Sequence, residues 1–67
     1  RLQDKDKALK SLAEAVQLSP ENERYSYVYI VALMEMGQSA QARLVLQQSL
    51  KLNPNAANLR SLKNQLP

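Results

Sequence analysis

Asp4, Asp6, Glu14, Glu21, Glu23 and Glu35, together with Tyr25, Tyr27 and Tyr29, are the side chains through which this chain could move protons. Carboxylate acid–base chemistry needs two such groups held in one cleft in environments that separate their proton affinities. Here the carboxylates fall at helix starts or on the wet faces of amphipathic segments, where capping and solvation account for them. Consecutive tyrosines of the alternating set would point about 200° apart on a helix, so they cannot converge on one site. Histidine and cysteine are absent. That removes the usual proton shuttle, the thiol nucleophile and the commonest metal ligands. Gly37 is the only glycine, so no glycine-rich phosphate loop can form. The residues predict no enzyme, no metal site and no cofactor.

Charge and length narrow the remaining classes. The net charge is +3, and the nine basic residues run from Arg1 to Lys63, interleaved with acids in the first third. Nucleic-acid binders gather their cations on one face instead, so a nucleic-acid partner is not expected. The longest apolar stretch, residues 25–34, falls short of the roughly 18 residues that span a membrane. A membrane partner is not expected either. A chain of 67 residues allows one domain and buries only about 60% of its unfolded surface.

Four amphipathic segments must supply that burial. Residues 4–18 predict a helix with Asp4 as N-cap and Ala8, Leu9, Leu12, Ala15 and Val16 facing inward. Ser19-Pro20 stops it, because a residue before proline avoids the helical region. Residues 23–36 predict a second helix, capped by Asn22 and ended at Gly37 in a left-handed turn. A third covers 39–52, with Ser39 as N-cap and Ala42, Val45, Leu46, Ser49 and Leu50 inward. Asn53-Pro54-Asn55 repeats the stop signal. Residues 56–66 predict a short last helix with Leu59, Leu62 and Leu66 on one side.

The stop signals recur at a fixed distance. Pro20 and Pro54 lie 34 residues apart, and Ala8–Ala42, Leu12–Leu46 and Leu18–Leu52 match at the same offset. Softer matches are Ala15–Ser49, Val16–Leu50, Tyr25–Leu59 and Val28–Leu62. A period of this length marks a stacked repeat, in which each unit buries its apolar face against its neighbours.

The run GQSAQARLVLQQSLKLNP, from Gly37 to Pro54, resembles the tetratricopeptide repeat. The matching positions are Gly37, Ala42, Leu46, Ser49, Leu52 and Pro54, with Ala8, Leu12, Ala15, Leu18 and Pro20 one repeat earlier. Ser26 stands where that family often has a large aromatic residue, and Ile30 where it prefers a small one. The resemblance implies an all-α fold of antiparallel helix-turn-helix repeats with a short C-terminal capping helix. It divides the chain into the second half of one repeat (1–22), one complete repeat (23–56) and a cap (57–67), as the C-terminal piece of a larger array. Residues 21–38, ENERYSYVYIVALMEMGQ, are also similar to repeats near the C-termini of large bacterial proteins, some with c-type haem domains. That likeness implies a bacterial source and an exported, periplasmic parent rather than a cytoplasmic one. The chain has no C-x-x-C-H, so no haem is assigned to it.

The second helix is the informative segment. At 100° per residue, Ser26, Tyr29, Ile30 and Leu33 share one side and should pack against neighbouring helices. Arg24, Tyr27, Val28, Val31 and Glu35 share the other, with Met34 on one flank and Tyr25, Ala32 and Met36 on the opposite flank. A helix apolar nearly all round is normally buried on all sides. Two readings follow. In one, Tyr27, Val28, Val31 and Met34 are core, covered by an upstream helix or by a second copy of the chain. In the other, they floor an apolar groove for a partner helix or peptide, oriented by Arg24 and Glu35. The resemblance implies the groove, since the first helix of each repeat lines the concave face in that family. Members that grip a free C-terminal carboxylate use Lys, Asn and Arg there, and Tyr27, Val28 and Val31 replace them. A carboxylate clamp is therefore not expected. The expected function is a non-catalytic protein–protein interaction module. The alternatives are a solenoid cap or self-association element with no foreign ligand, and RNA binding by a helical repeat, for which Arg24 alone is a poor electrostatic footing.

Overall fold

The computed structural model describes the backbone of residues 2–66 and the side chains of residues 4–66. Four helices follow one another: α1 (Leu2–Leu18), α2 (Glu23–Glu35), α3 (Ser39–Leu52) and α4 (Ala57–Gln65). The fold is all-α, as the 3.6-residue periodicity predicts. Connections of a few residues turn each helix back along its predecessor. α2 packs against each of the other three, and α3 also packs against α4. The backbone fills a slab of 34 × 28 × 15 Å.

The core lies between α2, α3 and α4. It consists of Ile30 and Leu33 of α2, Ala42, Val45 and Leu46 of α3, and Ala56, Leu59 and Leu62 at and along α4. None of these buried residues comes from α1, which touches the core edge through half-buried Leu9. Small Ala42 of α3 is fully buried in the same core as Ile30 and Leu33 of α2, and a small side chain there takes little room between packed helices. Ser26 is buried in the same region, and its hydroxyl has no hydrogen-bond partner.

Local chemistry sets the helix ends. The Tyr25 amide donates to Asn22 Oδ1 at 3.2 Å, so Asn22 caps α2 as its residue type predicts. At the other end Gly37 adopts φ 76°. There the Gln38 amide donates to the Leu33 carbonyl and the Gly37 amide to that of Met34. That pair of bonds is the Schellman arrangement, which requires a left-handed residue at Gly37. The two proline turns are also tied together. Asn53 Nδ2 donates to the Glu21 carbonyl at 2.6 Å, across 32 residues of sequence.

Several expectations need correction. Helix α1 begins at Leu2, so Asp4 lies within its first turn instead of capping it. Its negative charge still suits that position, since the helix N-terminus carries partial positive charge. Ser39 is the first residue of α3 and not its cap; Gln38 takes the cap position without a side-chain bond. Ala56 caps α4 equally without one, and its methyl joins the core instead. Ala8, expected to face inward, is exposed, and Leu9, Leu12, Ala15 and Val16 are only half-buried. The pattern on α1 is that of a buried face, but nothing in the described chain packs on all of it. Leu50 and Leu66 are likewise half-buried, beside the fully covered residues of their helices.

Candidate functional site

α2 carries every residue of the expected groove. Arg24 and Glu35 are exposed near its two ends. Tyr27, Val31 and Met34 are half-buried and rest against the core. Val28 is 42% exposed, and Tyr25 beside it 41%. The helix thus holds an inner stripe of Ser26, Ile30 and Leu33, a half-covered shoulder of Tyr27, Val31 and Met34, and an open apolar edge of Tyr25 and Val28. The uniform apolar coat of the sequence resolves into these three levels because neighbours cover only part of the helix surface.

The 34-residue offset identifies what the open edge lacks. Leu59 and Leu62, the counterparts of Tyr25 and Val28, are 0% and 1% exposed where α4 packs on α2 and α3. The same contrast runs along the other helix pair. Ala42 is fully buried against α2, whereas its counterpart Ala8 is exposed. Leu46 and Ser49 are buried, whereas Leu12 and Ala15 are half-buried. Equivalent residues thus differ by the presence of one neighbouring helix. The bare positions lie on α1 and α2, the two helices upstream of α3.

Clefts lie on both sides of α3. Between α1 and α3 lies one of about 230 Å³, lined by Ala13, Val16 and Gln17 on one wall and Val45, Gln48 and Ser49 on the other, with Tyr29 beneath. Beyond α3, towards α4, lies one of about 540 Å³, lined by Arg43, Leu46, Gln47, Leu50, Lys51, Lys63 and Leu66. The sequence reading did not single out this second cleft. The signal was present: no Asp or Glu follows Glu35, whereas Arg43, Lys51, Arg60 and Lys63 do. Among the described residues no group of three or more carboxylates could hold a metal ion, and no helix is long and apolar enough to cross a membrane.

The chain thus combines helices related by 34 residues, a left-handed glycine between α2 and α3 and a small, fully buried Ala42 in the core. The family model that matches the chain is the tetratricopeptide repeat, over residues 2–66. The chain belongs to the tetratricopeptide repeat family. Tetratricopeptide repeats generally mediate protein–protein interactions and are typically non-catalytic. The tetratricopeptide assignment rests on the family model alone, since no curated protein and no solved structure matches the chain.

Proposed function

We propose that this tetratricopeptide chain is a non-catalytic docking module whose α2 side, from Arg24 through Tyr27, Val28, Val31 and Met34 to Glu35, receives a helix or extended peptide of another protein. The observation that carries this reading is the exposure of Val28 between an exposed cation and an exposed anion on a helix whose other faces are packed. Val28 would enter the partner's apolar stripe, and the half-covered Tyr27, Val31 and Met34 would form a firm floor beneath it. Arg24 and Glu35, of opposite sign, would fix the direction of the bound segment. The spacing of the helices supports the same side. α2 packs against α4, whereas an open cleft separates α1 from α3, which supports a concave side at α2 and α4. The repeat division at residues 22 and 56 and the bacterial, exported parent belong to this reading.

A peptide library displayed on phage, selected in parallel on the wild-type chain and on Val28→Glu, tests it. Selected sequences should share an apolar spacing, and the exposed substitution should remove them while leaving helix content unchanged. Enrichment that is equal on the two proteins, or none on either, would contradict the proposal.

The contrast between Ala8 and Ala42, and between Val28 and Leu62, favours a second reading: the upstream face is a stacking surface. A helix related to α2 as α2 is to α4 would cover it, supplied by the larger protein or by a second copy. The two readings share the open edge of α2 and differ in what covers it.

A further inference from the structure

The 540 Å³ cleft between α3 and α4 is the internal counterpart of the wall that α3 faces. Ala13, Val16, Gln17 and Tyr29 form that wall along α1 and α2. Their counterparts 34 residues on are Gln47, Leu50, Lys51 and Lys63. All four line the α3–α4 cleft, where no helix of the described chain faces them. The molecule therefore presents the mould of one further helix. Its chemistry has changed between the two copies. Gln17 and Tyr29 are neutral, whereas Lys51 and Lys63 are cationic, and Leu9 at the core edge becomes Arg43. Leu46, Leu50 and Leu66 keep the floor apolar.

We infer that this cleft docks an acidic amphipathic helix of another protein, its apolar stripe on Leu50 and Leu66 and its carboxylates against Lys51 and Lys63. A helix like α3, which carries Arg43 and Lys51 and no acid, does not suit the site. The α2 residues buried beneath α3 include Ser26 and Ile30, and their counterparts on α4 are exposed Arg60 and Asn64. Covering those groups and the lysines with hydrocarbon would strand polar atoms away from water, which is unfavourable unless each finds a partner. Carboxylates remove that penalty and select for sign. No Asp or Glu follows Glu35 in the chain, and none lines this cleft. A second copy is a poorer occupant, because the acids of α1 alternate with Lys5, Lys7 and Lys10. RNA is poorer too, since all three tyrosines lie on α2 and the cleft offers no ring on which a base could stack.

Two labelled synthetic helices with the same leucine spacing, one carrying Glu and the other Lys beside the leucines, test the inference by fluorescence anisotropy on the whole chain. The Glu helix should bind at least about tenfold more tightly, and raising the salt several-fold should weaken it, as expected for contacts that ions screen. Lys51→Glu with Lys63→Glu should reverse the preference, and Lys51→Gln with Lys63→Gln should abolish it without reversal. Both lysines are exposed, so circular dichroism should be unchanged; if the reversed variant fails to fold, the glutamine variant decides. Val28→Glu should leave this binding intact, which separates it from docking on α2. Equal binding of the two helices, no binding of either, or indifference to both lysine pairs would overturn the inference. So would displacement of the peptide by single-stranded RNA, or a wild-type dimer that the reversal dissociates.

Discussion

Ser26 shows how one side chain can work against the fold around it. Its hydroxyl is buried and unpartnered, and an unsatisfied buried polar group costs about 1–3 kcal/mol. Ser26→Ala removes the group with little change in volume and raises helix propensity. The midpoint of urea unfolding should rise by the equivalent of about 1 kcal/mol, with an unchanged slope; a lower midpoint would mean that the hydroxyl has a partner in solution. Gly37 makes the opposite case. A Cβ there would meet nothing within 4 Å, so the cost of Gly37→Ala is purely that of the left-handed backbone. It should destabilise by about 1–2 kcal/mol, and Gly37→Asn by less. Both positions were legible in the sequence to different degrees. A lone glycine after an apolar helix announces its backbone conformation. A serine on an apolar stripe announces only that it faces inward, because no sequence rule tells whether a neighbour offers an acceptor.

At the scale of elements, helix number, order and type were readable, because each stripe repeats at 3.6 residues and each proline marks a stop. The caps were less readable. Asn22 caps α2 through its side chain, but Gln38 and Ala56 hold the cap positions of α3 and α4 without side-chain bonds. At α4 the burial of the Ala56 methyl takes precedence over a polar cap. The tie from Asn53 to the Glu21 carbonyl was invisible to pattern reading, since it depends on how two turns stack. Asn53→Ala should cost about 1 kcal/mol and loosen the α1–α2 turn. Faster amide exchange near Glu21 would report it, and exchange unchanged there would count against the tie. Along α2 the sequence placed Arg24, Tyr27, Val28, Val31 and Glu35 on one side with Met34 on a flank, but could not rank their exposure. The structure separates them, and two substitutions use the difference. Val31→Glu places a charge against the core and should unfold the chain, since such burial costs several kcal/mol. Val28→Glu points into water and should keep the thermal midpoint within a few degrees. If both variants behave alike in a thermal melt, the ordering of the two valines is wrong.

Across the whole molecule the 34-residue period relates the two ends by what each lacks. Upstream, Ala8, Tyr25 and Val28 are bare where Ala42, Leu59 and Leu62 are covered. Downstream, the counterpart positions turn polar, with Arg60, Lys63 and Asn64 exposed on α4. The upstream end is therefore apolar and the downstream end cationic. The sequence revealed the period and the class of fold, but burial depends on neighbours, and a pattern of apolar residues does not say whether its neighbour is there.

With Tyr25 and Val28 open to water, the upstream side of α1 and α2 is expected to be too apolar to remain bare and to engage another surface. Contiguous apolar patches beyond a few hundred Å² are rare on free soluble monomers. Molar mass by light scattering, over a concentration series of the isolated chain and of Val28→Glu, tests this most directly. The wild-type mass should climb above the 7.6 kDa of a single chain as concentration rises, and the Val28→Glu mass should stay there. A wild-type chain that remains folded at the single-chain mass up to about millimolar concentration would contradict it.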